Sequence, residues 1–118
     1  GTSIMISEAT YLKLNEKFEI RELDCIRVKG KQNAVKVYEV IEEKDKIDQK
    51  IKELLELSKL GIQEYRKRNW DEALKYFEKV QEIEKSDQIA TIYIGRIKYF
   101  KENKPPQDWD GVYTMTMK

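Results

Sequence analysis

The sequence predicts an α+β protein, in which a short strand, helix and β-hairpin are followed by an α-hairpin with a capping helix. Three observations predict it. Between Ile4 and Ile41 the apolar residues form short runs that alternate at period 2, whereas from Ile47 to Phe100 they fall at helical spacing. Within the helical stretch similar residues recur 34 positions apart, and the pair Pro105-Pro106 closes it. The expected organisation is therefore 1–44, 45–104 and a tail 105–118, with three strands and four helices and more helix than strand.

Taken in order, Ile4-Met5-Ile6 makes the first strand, and Ser7-Glu8-Ala9-Thr10 supplies an N-cap with an acidic first turn. A helix starts there, carries Ala9, Leu12 and Leu14, and ends near Asn15-Glu16-Lys17. Phe18, Ile20 and Leu23 lead into Cys25-Ile26-Arg27-Val28, and Ala34 to Val40 alternates apolar with polar. Between them Gly30-Lys31-Gln32-Asn33 reads as a hairpin loop. The charge run Glu42 to Lys46 reads either as a linker or as the solvated first turns of the next helix, since nothing in it breaks a helix. Three amphipathic sets follow: Ile47, Ile51, Leu54, Leu55, Ser58 and Ile62; then Ala73, Leu74, Phe77, Val80 and Ile83; then Ile89, Ile92, Tyr93, Ile97 and Phe100.

Composition excludes several classes of function. Lys and Arg number 23 against 22 Asp and Glu, for a formal charge of +1, so neither a nucleic-acid surface nor a polybasic membrane patch is expected. The chain has no histidine, which removes His-based nucleophile activation and His-containing zinc sites within it. Its one cysteine, Cys25, closes no intrachain disulfide and fits a reducing compartment. No apolar run reaches the roughly 20 residues of a membrane helix, and GTSIMISEATY has neither a basic leader nor a long apolar stretch. A cytoplasmic segment is expected.

Gly61 and Gly95, Leu60 and Ile94, and Tyr65 and Tyr99 are each 34 residues apart. With Asn69-Trp70-Asp71-Glu72-Ala73-Leu74 and Phe77, this stretch resembles the tetratricopeptide repeat, a helix-turn-helix of that period. Arg68 stands where the repeat usually has a turn glycine, and the usual proline near Lys85 is missing. The resemblance implies one full repeat and a capping helix, with Leu55, Ser58, Ile62 and Tyr65 at the groove-facing positions. They lack the Lys/Asn pattern that clamps a peptide carboxylate, which favours packing on a parent enzyme over a free-peptide site.

Gly1-Thr2, Ile6-Ser7-Glu8-Ala9-Thr10-Tyr11, Phe18 to Asp24, Val28-Lys29-Gly30-Lys31 and Val37-Tyr38-Glu39-Val40 together resemble the end of the catalytic domain of class III adenylate/guanylate cyclases. Pro105 to Tyr113 resembles the ending of bacterial members that join this domain to repeat-like helices, while Asn33-Ala34-Val35 departs from the usual Glu-Pro-Val. The resemblance implies a piece of a ferredoxin-like sheet. It also implies a signalling parent that converts ATP, or GTP, to the cyclic nucleotide and pyrophosphate with Mg²⁺ or Mn²⁺. The family's metal-binding aspartates and its Asn and Arg would lie upstream of Gly1, so this stretch is expected to be inactive, with no catalytic or metal residue of its own. One role carries over by position: the first lysine of the Val-Lys-Gly-Lys motif, Lys29, as a contact to the nucleotide triphosphate. Lys31 is expected to be surface charge.

The remaining candidates read as structure. Cys25 lacks any activating partner, Glu8 and Glu19 are not brought together by anything in the pattern, and Asp24, Asp45 and Asp48 match no metal role. Tyr65, Trp70, Tyr76 and Phe77 have the spacing of helix packing rather than of a base-stacking platform. In the family's fold this hairpin belongs to a larger sheet, so the resemblance implies unpaired strand edges and exposed apolar side chains among Ile4, Ile6, Ile26, Val28, Val35 and Val37; a homodimer is expected, by edge pairing or by exchange of elements through Glu42 to Lys46, and the helices offer a surface for a protein partner.

Overall fold

The computed structural model describes residues 4–28 and 34–115. These described residues form two compact units, one drawn from 4–48 and 112–115 and one of residues 49–111. The first holds β1 (Ile4–Ile6), α1 (Glu8–Leu14), β2 (Phe18–Val28), β3 (Val35–Glu43), a 3-10 turn (Lys44–Lys46) and β4 (Tyr113–Met115). The second holds α2 (Gln49–Arg66), α3 (Trp70–Ile83) and α4 (Gln88–Glu102).

In the sheet unit the strand order is β1-β3-β2-β4, with β3 antiparallel to both neighbours and β4 parallel to β2. Ser7 caps α1 as expected, its hydroxyl accepting from the Thr10 amide at 3.3 Å. The helix presents a different face from the one the pattern gave: Leu12 is 67% exposed, and contact with the sheet runs through Tyr11, whose ring stacks on Tyr38 at 4.4 Å. β3 pairs with β2 as far as Glu43, so Glu42 and Glu43 belong to the hairpin. The expected helix start in the charge run is corrected to Gln49, after one 3-10 turn. Cross-strand pairing of Glu42 and Glu43 outweighs the helical preference of this polar segment. In β2 Glu22 faces Tyr38 and Asp24 faces Val37, which makes Leu23 an extra, bulged residue. β4 is a fourth strand where a tail was expected. Three residues are too few to show alternation, and their partner lies more than 80 positions away in sequence.

In the helical unit α2 packs on α3 and α3 on α4. Their buried core is Ile62, Tyr65, Ala73, Phe77, Val80, Ala90, Tyr93 and Ile97. Gly61 permits the approach of α2 to α3, since a Cβ there would stand 2.8 Å from the Phe77 ring. Asp87 caps α4 through its carboxylate, which accepts from the Ala90 amide at 2.8 Å. Ile92, assigned to the buried face of this helix by the sequence pattern, is 47% exposed; Ala90, Tyr93 and Ile97 carry that face instead. Beyond α4, Pro105 is buried and Trp109 packs its ring against Tyr65, Phe100 and Trp70. The segment expected to be a free tail is thus divided between the two units.

Candidate functional site

Lys29, with Gly30 and Lys31, lies outside the described residues. What the structure gives is the strand that leads to it. Ile26 pairs with Val35 of β3 on one side and Tyr113 of β4 on the other, and Arg27 and Val28 pair with Thr114 and Met115. The backbone up to the position before Lys29 is therefore fixed by β4, an element the sequence did not reveal. Upstream in β2, Arg21 is 7% exposed and its register partner is Glu39, which places opposite charges on neighbouring strands.

The other candidates sort by burial. Cys25 is buried in β2 beside Asp24, whose carboxylate accepts from the Cys25 amide at 2.9 Å. Asp45 lies in the 3-10 turn and Asp48 just before α2. Among the described residues no group of three or more His, Cys, Asp or Glu side chains is gathered closely enough to hold a metal ion. No helix of the described residues is long and apolar enough to cross a membrane.

The groove-facing assignment is corrected. Ser58, Ile62 and Tyr65 are 1%, 3% and 1% exposed and Leu55 is half-buried, because the face they share is the one α2 turns into the helical core. Of the aromatic residues, Tyr65 and Phe77 are core and Trp70 packs against it, whereas Tyr76 is half-buried and stands outside the cluster. Phe77 stacks on Tyr93 at 4.8 Å, and Tyr65 meets Trp70, Tyr93 and Trp109 edge to face.

Arg68 has a structural role that the sequence only hinted at. It adopts φ +68°, the left-handed conformation that a glycine takes without cost. The Arg68 amide donates to the Tyr65 carbonyl at 3.1 Å and the Asn69 amide to the Glu64 carbonyl at 2.9 Å, which closes the end of α2. Its guanidinium donates to the Pro106 and Gln107 carbonyls, the latter at 2.8 Å, and lies 5.8 Å from the centre of the Trp109 ring. The signal available beforehand was a long cation in a glycine position with a tryptophan downstream.

Comparison with known proteins bears on both units. Over 83 residues the chain is 41% identical to an adenylate cyclase of Dictyostelium discoideum described as terminal-differentiation specific. The match takes in 69% of this chain and 4% of that protein, so the chain spans a small part of its relative's length. This stretch is related to adenylate cyclase sequence. At that share the match is longer than either unit alone, so the similarity runs through sheet residues and helical residues alike. No protein-family model matches the chain. No solved structure matches it.

Proposed function

We propose that this chain is the C-terminal portion of a class III nucleotide cyclase, the end of its catalytic domain joined to a tetratricopeptide-like helical extension. The observation that carries the reading is the 41% identity to an adenylate cyclase over a stretch that must include both units. The parent would convert ATP, or GTP, to the cyclic nucleotide and pyrophosphate in a signalling role. Lys29 would supply a positive charge to the triphosphate at the end of β2, where a lysine ammonium acts as a point charge. This stretch contributes neither a metal site nor a general base, and by itself it is expected to make no cyclic nucleotide. A homodimer formed through the sheet edges β1 and β4 belongs to the same reading, supported by an edge order that leaves both outermost.

The test is Lys29→Ala in the full-length protein. A lost charge-assisted contact costs roughly 1.5–3 kcal/mol, so the KM for the nucleotide should rise by about tenfold or more with kcat much less affected. An unchanged KM returns Lys29 to the ordinary surface lysines. A second reading, in which the helices are a protein-interaction module, is favoured by the exposed side chains of Ile92 and Tyr99 on α4.

A further inference from the structure

The helical unit is an insertion in the sheet unit: the chain leaves the sheet unit after Asp48 and rejoins it at Val112. What it brings back is β4, whose residues pair with Ile26, Arg27 and Val28 in parallel register. Taken alone this pairing is weak. It spans three residues at an edge of the sheet, and a parallel pair is slightly less stable per residue than an antiparallel one. To seat β4 on β2, those few pairs would have to offset the entropy of closing the whole stretch 44–112.

A clasp on the helical unit shortens that stretch. Pro105 is buried, and the Arg68 guanidinium donates to the carbonyls of Pro106 and Gln107. The Trp109 amide donates to the Pro106 carbonyl at 3.0 Å, which closes a turn. Past that turn the Trp109 ring lies 5.5, 5.9 and 5.3 Å from the rings of Tyr65, Trp70 and Phe100. Gly111 makes the last contact. It takes φ +84°, and a Cβ there would stand 3.1 and 3.2 Å from two carbons of the Arg66 side chain. A single residue, Val112, then separates the clasp from β4. With the helices folded and the clasp closed, the links that remain between β3 and β4 are 44–48 and Val112, so β4 is held near β2 at high effective concentration.

We infer that residues 105–111 are a strap through which the helical unit controls whether β4 is seated on β2. Clasp closed, β4 is paired; clasp open, β4 leaves and the edge of β2 at Ile26 to Val28 stands open to another strand. The coupling is reciprocal, so a seated β4 in turn holds the clasp closed. The inference goes beyond the cyclase reading and uses no nucleotide chemistry.

The test is amide hydrogen exchange on the full chain, read separately at β4 and at α3. The decisive variant inserts a flexible Gly/Ser segment of about 20 residues between Gly111 and Val112, leaving every residue of the clasp and of β4 in place. Effective concentration falls roughly as the −3/2 power of linker length, so β4 should exchange at least about tenfold faster while α3 exchange and tryptophan fluorescence stay as they were. Trp109→Ala should loosen β4 by a similar factor through the clasp itself, and Trp109→Phe should restore most of the protection. Four results overturn the inference: no protection of β4 in the unmodified chain, exchange at β4 that the insertion leaves unchanged, an insertion that quickens β4 and α3 equally, or a Trp109→Ala variant that opens α3 and leaves β4 protected. The first two would show that the strap does not seat β4, the third that the two units open as one, and the fourth that β4 holds without the clasp.

Discussion

The two units differ in how they obtain a core. The helical unit buries a continuous cluster drawn from all three of its helices, each packed on the next in sequence. The sheet unit is thinner. Among its described residues the buried side chains are Arg21, Leu23, Cys25, Tyr38 and Ile47, α1 contributes none, and Leu12 and Val35 stand in solvent. Helices joined by short turns find partners among near neighbours and close a core locally, whereas a strand needs partners and a covering layer from elsewhere. The cyclase reading accounts for the contrast, since a piece of a larger catalytic sheet would have its second layer supplied by other parts of the parent.

The largest expected effect exploits that contrast. Phe77→Ala removes a fully buried ring that touches Gly61 and stacks on Tyr93, and should cost about 3–5 kcal/mol. Tyr38→Ala removes a ring whose main aromatic partner, Tyr11, is itself half-buried, and should cost less than about 3 kcal/mol. Both tryptophans, Trp70 and Trp109, lie in the helical unit, so urea denaturation followed by fluorescence reports on that unit. Equal losses for the two variants, with amide exchange reporting on the sheet, would break the comparison.

Next in size is a pair of substitutions at equivalent glycines. Gly61→Leu drives a side chain into the Phe77 ring and should destabilise by about 1–3 kcal/mol. Gly95→Leu meets open space and replaces a poor helix former, so it should be neutral or stabilising by up to about 1 kcal/mol. Thermal melts of both variants give the two signs directly. The same sign at both positions would show that the 34-residue correspondence does not extend to packing.

Legibility followed the range of the interactions. Ser7 as a cap, the hairpin of β2 with β3 and the three long helices are set by local chemistry and periodicity, and all were readable. β4 was not, because it is defined by a partner remote in sequence. Leu12 and Ile92 were placed on the wrong faces because an apolar residue one position off the true stripe still satisfies a loose helical count. The groove residues failed differently: a register borrowed from long repeat arrays does not say which faces a three-helix unit keeps for its own core. For the candidate site, resemblance named Lys29, while the strand that holds the preceding residues had to be seen.

Arg68 tests how strongly the helical unit depends on its last segment. Arg68→Gly relieves a left-handed backbone worth roughly 1 kcal/mol but removes the bonds to Pro106 and Gln107 and the contact with Trp109. Net stability should change little. Arg68→Ala keeps the strain and loses the same contacts, so it should be about 1 kcal/mol less stable than Arg68→Gly, as measured by chemical denaturation. In both variants Trp109 fluorescence should shift to the red as its ring becomes wetter. An unshifted spectrum would show that Pro105 and Trp109 hold the segment without Arg68.

The smallest effect concerns pH and lies on the surface of the helical unit. The hydrogen bond from Lys101 and the charge of that ammonium hold the Asp71 carboxyl below its ordinary value of 3.8, with Lys75 adding a lesser pull. Because the folded value is lowered, the pair stabilises the fold above the unfolded pKa, and that contribution disappears as the pH falls through the folded value. Asp71 is exposed, so the contribution is small and sensitive to salt. A ¹³C titration of the Asp71 carboxyl should place its midpoint below the ordinary value in the unmodified chain and move it back towards that value in Lys101→Met. Raising the ionic strength to about 1 M, where the screening length falls to roughly 3 Å, should shift the unmodified midpoint in the same direction by a smaller amount. If Lys101→Met leaves the midpoint in place, α3 and α4 are held by their apolar core alone at this end, and the charge complementarity seen between them carries no energy.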